Sequence, residues 1–379
     1  MIIGIDVRHV GKNRTGDETV FVQLVRALAR IDRENTYILF TDRADTSLVG
    51  TLGIAAAKNF SVCVLSCANR FVWNAWTLPL FLRTHHIDIY HTQYIVPFFL
   101  PSALRVVVHI HDVSFCAFPQ FIALRDRIFL RLLIPRSVHR GDAMIAPSRF
   151  TAKEIEKFYP KGKGKIHVVH NALPEEFLSS TQSKDRDAAV AQKYHLPEKY
   201  IFTLGTMQPR KNIPALIAAY AAACKTVPGT SLVISGPRGH HFDSVIDEEI
   251  RRNPHVRERI IFTGYIAIDD LPVVYRHAHL FIFPSLYEGF GIPLLEAMSQ
   301  GVPVLASDLS VFREVAANAA IYCDTRTLDQ FAKSIYTMSI DRNLRSQSVG
   351  NAPARVSSFS WEESAKKLLR IYQLLISKS

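Results

Sequence analysis

Two glutamates separated by seven residues, Glu288 and Glu296, bracket the segment Pro284-Ser-Leu-Tyr-Glu288-Gly-Phe-Gly-Ile-Pro-Leu-Leu-Glu296, which holds the most pointed chemistry in the chain. The apolar run His279-Leu-Phe-Ile-Phe283 before it reads as a buried parallel strand. Pro293 suits the first turn of a helix, Gly301 stands where that helix would end, and Val302-Pro-Val-Leu-Ala306 reads as the next strand. A strand, a Gly-x-Gly turn and a helix N-terminus make an anion site, because unpaired backbone N–H groups and the helix dipole both favour negative charge there. Acidic side chains around such a site point to a ligand that carries hydroxyls as well as phosphates. A glycosidase pair is the competing reading, but retaining hydrolysis wants carboxyls about 5–5.5 Å apart. A turn and a helix start hold this pair farther apart, so binding and positioning is the better reading. Glu296 also sits where an acid in a first helical turn would merely complement the dipole; Glu288 precedes the helix and has no such explanation.

Adjacent cations supply the second element. Thr203-Leu-Gly-Thr-Met-Gln-Pro-Arg210-Lys211-Asn212 follows an apolar strand and leads into a helix. Arg210 as a planar fork and Lys211 as a point charge can clamp a diphosphate, with Gly205 allowing close approach, although two bases in a turn can also be simply solvated. His111, followed by Asp112, ends an apolar strand and is placed to bond a sugar hydroxyl or move a proton; His109 reads as a core histidine and His91 as a weaker candidate. Asp6-Val-Arg8 closes the first strand, and the loop Lys12-Asn-Arg-Thr-Gly16-Asp-Glu leads to a helix expected from Thr19, where capping and ligand contact both fit.

The elements that must position these groups alternate along the chain. Apolar runs at 2–7, 37–41, 61–65, 87–91, 105–110, 143–147 and 166–170 predict strands in the first half. Runs at 200–204, 231–235, 259–263, 279–283, 302–306 and 319–323 predict strands in the second, with helices near 212–226, 243–252, 269–276, 293–300, 310–316 and 327–339. This is the pattern of doubly wound parallel sheets, one per half, whose ligands gather beyond the carboxyl ends of the strands. The polar segment from about Pro174 to Pro197, including Ser179–Asp187, reads as the linker, and an amphipathic helix from Trp361 to Ile376 closes the chain. The expected domains are residues 1–178, residues 179–358 and a terminal helical segment 359–379.

With 379 residues, 48% hydrophobic and 21% charged, the chain has the composition of a globular protein of two domains. No apolar run reaches the length of a membrane span, and the N-terminus lacks the basic flank of a signal peptide. Five scattered cysteines without metal spacing point to a reduced, cytoplasmic protein with no structural metal. The net charge of +11 implies an anionic partner, whether nucleic acid, a membrane face or a phosphorylated substrate. Residues 120–170 alone carry eleven Arg and Lys against four acidic residues, which could also be a solvated face. No helix-turn-helix, finger or RNA-binding signature accompanies the charge.

Taken together, Glu288 and Glu296 in their setting, the Gly205…Arg210-Lys211-Asn212 loop, the Thr-Gly-Tyr265 turn and His111-Asp112 resemble the GT-B retaining glycosyltransferases of family 4, mannosyltransferase-like, over nearly the whole chain. The resemblance implies two facing Rossmann-like domains, with a C-terminal helix crossing back to the first. It implies that Arg210 and Lys211 hold the diphosphate of a nucleotide-sugar and that Glu296 takes the ribose hydroxyls. Glu288, with backbone N–H groups near Phe290 and Gly291, would hold the donor sugar. Tyr265 and Ile266 would pass under the base, His111 would contact the sugar at the reacting centre, and Gly16 would let the first loop approach the phosphates. Relatives carry a second glycine and an aromatic in that loop, where this chain has Thr15-Gly-Asp-Glu18-Thr-Val20, which leaves the part played by Gly16 open and gives Glu18 the acceptor or the phosphate side. Stereochemistry would be retained, without metal or cofactor.

The acceptor would be a saccharide, lipid-linked, in surface polysaccharide synthesis, with GDP-mannose the favoured donor. Trp73, Trp76, Phe98, Phe99, Phe115, Phe118, Phe121 and Phe129 interleave with the arginines of 125–136, which suits either peripheral docking on the anionic inner face of a plasma membrane or a domain core. A nucleotide-sugar epimerase of the same fold and a basic nucleic-acid-binding module are the alternatives; the first needs no acceptor, and the second predicts binding that falls steeply with salt.

Overall fold

The computed structural model describes every residue except 13–14, 68, 179–182, 225–228, 239–241 and 378–379; Asn13 and Arg14 of the first loop and part of the predicted linker therefore lie outside the described residues. Short apolar runs that alternate with helices cannot pair as hairpins, so they pair in parallel across helical crossovers. The first sheet contains β1 (Ile2–Asp6), β2 (Thr36–Thr41), β3 (Phe60–Val64), β4 (Ile89–Gln93), β5 (Arg105–His109), β6 (Ala143–Ala146) and β7 (Ile166–Val168), in the order β3-β2-β1-β4-β5-β6-β7. The second contains β8 (Tyr200–Leu204), β9 (Ser231–Ser235), β10 (Ile260–Gly264), β11 (Leu280–Phe283), β12 (Val304–Ser307) and β13 (Ile321–Cys323), in the order β10-β9-β8-β11-β12-β13. Every strand pairing is parallel, and each observed strand starts within two residues of the predicted run. Helices cover both faces of such sheets, which is why Ile, Val, Leu and Phe fill the central strands without alternation.

Both sheets reverse direction of growth once, between β1 and β4 and between β8 and β11. Loops leaving those strands flank a crevice at the carboxyl edge, the place where doubly wound sheets bind ligands. The loop after β8 carries Gly205, Arg210 and Lys211, and the loop after β11 carries Glu288. In the first sheet, the same edge presents Asp6, Gln93 and, beyond β5, His111.

Two compact units divide the chain. One comprises Met1–Cys116, Leu124–Asn171 and Ser360–Ser379; the other comprises Ala117–Ala123 and Ala172–Phe359. The last helix, Trp361–Ser377, thus belongs to the first unit, where it packs on the helix Thr15–Ile31. Ser364 Oγ donates to the His170 carbonyl at 2.5 Å, and Tyr372 Oη lies 2.7 Å from His91 Nδ1.

Several elements depart from the sequence reading, among them the helix Lys184–Lys193 inside the segment read as the linker. The first helix begins at Thr15, four residues before the expected Thr19, so Gly16 stands in its first turn rather than in the loop. Leu124–Arg140 is a helix with Pro135 inside it, which the interleaved arginines and the proline concealed. Arg342–Ser357 is a further helix, capped by the Asp341 carboxylate accepting from Leu344 N at 3.0 Å. It buries Ser348 and Ala352 in place of an apolar stripe, and that leaves no period to detect.

Glycine is demanded most strongly at Gly236, in the turn after β9. Its φ is +139°, and an added Cβ would lie 2.0 Å from the Gly205 carbonyl oxygen. That close approach is what fixes the course of the Gly205 loop.

Candidate active site

The site in the second unit is assembled around one carboxylate. After Gly205, the chain makes a tight turn at Pro209–Lys211 and ends it at Asn212 in the left-handed conformation, φ 57°, before the helix Ile213–Cys224. That turn aims both cations at Glu288. Arg210 Nη1 donates to Glu288 Oε2 at 3.1 Å, and Lys211 Nζ donates to Oε1. Ser285 Oγ donates to the same Oε1 at 2.8 Å, and the Leu286 N–H donates to the Arg210 carbonyl at 2.8 Å, so the two loops are tied together. Lys211 and Glu288 are both buried, and Lys211 Nζ lies 5.1 Å from the centre of the Phe283 ring. A Cβ at Gly205 would press on the Lys211 side chain at 3.1 Å.

Burial pushes the Glu288 carboxyl up, but the Lys211 and Arg210 charges and the hydrogen bonds from Lys211 and Ser285 outweigh it and hold the group at about 2. Glu288 is therefore ionised throughout the physiological range. The result is a buried Lys211–Glu288 pair edged by the half-buried Arg210, two cations to one anion, and the surplus positive charge is the electrostatic character an incoming phosphate needs.

Glu296 has the opposite environment. It lies in the second turn of the helix Ile292–Ser299, not the first, so complementing the helix dipole does not account for it. Tyr275 Oη donates to Glu296 Oε2 at 2.7 Å. Burial raises the carboxyl to about 7; the Tyr275 hydrogen bond opposes that rise, and the charge of Glu176 adds to it. Gly291 caps this helix with φ +100°, a conformation that suits glycine, and Phe290 beside it is buried edge-on to Phe359 at 5.4 Å. Beyond β10, Tyr265 is exposed while Ile266 is buried.

His111, Gly16 and their neighbours belong to the first unit. His111 Nε2 lies 3.0 Å from Gln93 Oε1, its Nδ1 lies 3.8 Å from Asp17 Oδ1, and its ring stacks on His109 at 4.5 Å. His109 is fully buried with both ring nitrogens unpartnered, and burial together with neighbouring histidine charge drives it far toward the neutral form. His91 is held near 3 by burial and by His111. The Asp112 carboxylate accepts from Ser114 N at 2.8 Å and so caps a turn. Glu18 accepts from Gly11 N at 2.6 Å, which binds the first loop to the first helix. An added Cβ at Gly16 would meet nothing within 4 Å.

Sequence reasoning thus found Gly205, Arg210, Lys211 and Glu288, which the fold brings into one group. It missed Ser285 and Tyr275, the hydroxyl donors to the two carboxyls, and Gln93 beside His111. The only available signal was position, with Ser285 two residues beyond β11 and Gln93 the last residue of β4. The Asp185-Arg-Asp187 triplet lies in the helix Lys184–Lys193, where Asp187 pairs with Arg276 at 3.0 Å and His277 at 2.8 Å. Among the described residues, no group of three or more His, Cys, Asp or Glu could hold a metal.

The family model described as glycosyl transferases group 1 matches residues 185–355, and the one described as glycosyltransferase family 4 matches residues 14–177. The O-antigen chain mannosyltransferase B of Escherichia coli is 32% identical over 79% of this chain and 77% of its own length. This chain is a family 4 glycosyltransferase. A second relative of the glycosyltransferase, the O-antigen chain mannosyltransferase RfbU of Salmonella typhimurium, is 23% identical over 84% of this chain and 85% of that protein. Sucrose-phosphate synthase from Thermosynechococcus elongatus shares the fold with a TM-score of 0.74 at 19% identity over all of both chains. WaaG, a glycosyltransferase involved in lipopolysaccharide biosynthesis, superimposes with a TM-score of 0.72 at 15% identity over 98% of this chain and 99% of its own. The enzyme is mannosyltransferase-like, and its function is glycosyl transfer in polysaccharide synthesis.

The raised Glu296 carboxyl has a sign that can be measured. Between about pH 4.5 and 7, the folded protein keeps a proton on Glu296 that the unfolded chain has released, so stability falls as pH rises through that window. Glu296→Gln abolishes this slope. Thermal or urea unfolding at pH 5 and pH 8 should show the variant gaining on the wild type by on the order of 2 kcal/mol at the higher pH. A pH-independent difference would contradict the assignment.

Proposed function

We propose that the enzyme transfers a hexose, with retention, from a nucleotide-sugar to a saccharide acceptor that is lipid-linked, and that GDP-mannose is the donor. The observation that carries the reading is the Arg210–Lys211–Glu288 group, with Lys211 and Glu288 buried, at the strand-order reversal of the second sheet. The mannosyltransferase names of the relatives favour mannose, while a protein of the same fold, Anabaena HepE, has been solved with UDP-glucose, so the base must be tested directly.

In this reading, Arg210 and Lys211 bind the diphosphate, Glu296 accepts from the ribose hydroxyls, Glu288 accepts from the sugar hydroxyls, and Tyr265 and Ile266 border the base. The Phe290 and Gly291 backbone borders the sugar, Gly16 borders the phosphates and His111 contacts the sugar. Chemistry then follows from where charge develops. The acceptor hydroxyl oxygen forms its bond to the anomeric carbon on the face the nucleotide leaves, and the bond from that carbon to the phosphate oxygen breaks. Its electron pair remains on the diphosphate, whose phosphate oxygen takes the acceptor proton. Fixed cations beside that oxygen stabilise the developing charge, each preorganised donor contributing about 2.7–4 kcal/mol. Arg and Lys neutralise the diphosphate without a metal or cofactor.

For the acceptor side, we infer a peripheral membrane contact on the cytoplasmic face. Leu124, Ile128 and Leu132 recur at helical spacing on Leu124–Arg140 and are all exposed, as are Phe71, Trp76, Leu80 and Phe99. Phe71 meets Phe129 at 5.7 Å, Trp76 meets Phe99 at 6.2 Å, and Arg70 lies 4.8 Å over Phe129, so these segments form one apolar surface edged by arginine. Trp73 and Phe115 are buried and take no part, while Phe118 and Phe121 belong to the second unit. No described helix is long and apolar enough to cross a membrane.

Nucleotide-sugars carrying guanine, uracil, adenine and thymine bases should be ranked by thermal shift. A donor at 100 times its dissociation constant raises stability by about 2.7 kcal/mol, and the shift is expected for GDP-mannose and to vanish in Lys211→Ala. An equal shift in that variant would remove the diphosphate assignment. Co-sedimentation with vesicles containing anionic lipid should fall at least about tenfold when Trp76, Ile128 and Leu132 are replaced by serine, and should fall with added salt. Unchanged sedimentation would exclude this surface.

A further inference from the structure

Two residues at the end of β4, Gln93 and Tyr94, are not used by the transfer mechanism above. Gln93, the last residue of β4, points its side-chain oxygen at His111 Nε2, 3.0 Å away, while its side-chain nitrogen contacts the His9 ring at 2.6 Å from Nε2 and 2.9 Å from Nδ1. Tyr94 next to it has φ +52°, a conformation that a bulky side chain adopts only when its surroundings enforce it. Its N–H donates to the His109 carbonyl at 3.0 Å, its hydroxyl accepts from Asp112 N at 3.3 Å, and its ring lies 5.7 Å from His111. The strained residue is therefore bonded to the residues on both sides of His111's strand end.

We propose that Gln93 is a positioning residue for His111: its carbonyl oxygen holds the Nε2–H tautomer, leaving Nδ1 as the nitrogen that serves the substrate. An amide oxygen can only accept, so the nitrogen facing it must carry the proton. The other end of the amide is fixed because it can only donate, and His9 offers it ring nitrogens. One face of the His111 ring is stacked on the fully buried His109 at 4.5 Å, and Phe21 lies 6.0 Å away. Nδ1 faces Asp17, in the first turn of the helix Thr15–Ile31, at 3.8 Å, too far for a hydrogen bond that would compete with a sugar hydroxyl. Gln93 thus sets which lone pair is presented, and the Tyr94 turn sets where the ring sits. The proposal rests on the reading that His111 contacts the transferred sugar.

The test is a double-mutant cycle combined with a direct look at the tautomer. Gln93→Met keeps the shape and removes the acceptor, whereas Gln93→Glu keeps an acceptor oxygen. Gln93→Met is expected to lower kcat at least about tenfold with the donor KM changed less than about twofold, and to cost nothing further in a His111→Ala background. Gln93→Glu should recover most of that loss. Nitrogen NMR of labelled histidine side chains should show His111 protonated on Nε2 in the wild type and a mixture of tautomers in Gln93→Met. A fully active Gln93→Met, an undiminished further loss in the His111→Ala background, or a single unchanged tautomer would overturn the proposal. Full activity of His111→Ala alone would instead remove the role of His111 on which it rests.

Discussion

A buried lysine, a half-buried arginine and one buried carboxylate meet in the second unit, and the rest of the site is arranged around that fact. Burying the charge of a lysine is costly unless an anion stands beside it. Glu288 is that anion, held ionised by the charges it neutralises. The group keeps Lys211 charged and in place before any ligand arrives, which is the preorganisation that catalysis by electrostatics requires. The same carboxylate is also a like charge to an incoming diphosphate. In the proposed reading, donor binding draws Arg210 and Lys211 onto the phosphates and leaves Glu288 to the sugar hydroxyls.

The fold makes this grouping possible at a sequence separation of 78 residues between Arg210 and Glu288. Parallel order β10-β9-β8-β11-β12-β13 sets β8 beside β11, so the loops leaving them meet at one edge. Gly236 lies against the Gly205 carbonyl and leaves the β8 loop one course. Environment then separates two chemically identical side chains. Glu288 sits with cations and stays charged; Glu296 has no cation beside it, and burial pushes it to about 7 against the opposing Tyr275 hydrogen bond. One residue type thus supplies a permanent anion and a titrating acceptor within a single helix–loop unit.

Much of this was legible in the residue string because it is local. The strands announce themselves as apolar runs, and Gly-x-Gly before Pro293 marks a helix start whatever surrounds it. Arg210 and Lys211 were readable as neighbouring cations at the carboxyl edge because their loop follows a strand. What could not be read is what depends on contacts between distant segments. Ser285 and Tyr275 are ordinary residues until the fold brings them to the two carboxyls, and Glu296 moves out of the first helical turn because the helix starts at Ile292. Arg342–Ser357 packs through Ser348 and Ala352 and so has no apolar stripe to see. Gly16, read as a loop glycine, stands instead in the first turn of a helix with open space around it.

The central claim is that Glu288 neutralises, in the empty enzyme, the cations that the donor diphosphate will take over. Calorimetric binding of a nucleoside diphosphate without its sugar, compared between the wild type and Glu288→Gln, tests it most directly. The account predicts tighter binding to the variant, about tenfold or roughly 1.4 kcal/mol, because a competing negative charge has gone while the cations remain. Equal or weaker binding to Glu288→Gln would contradict it.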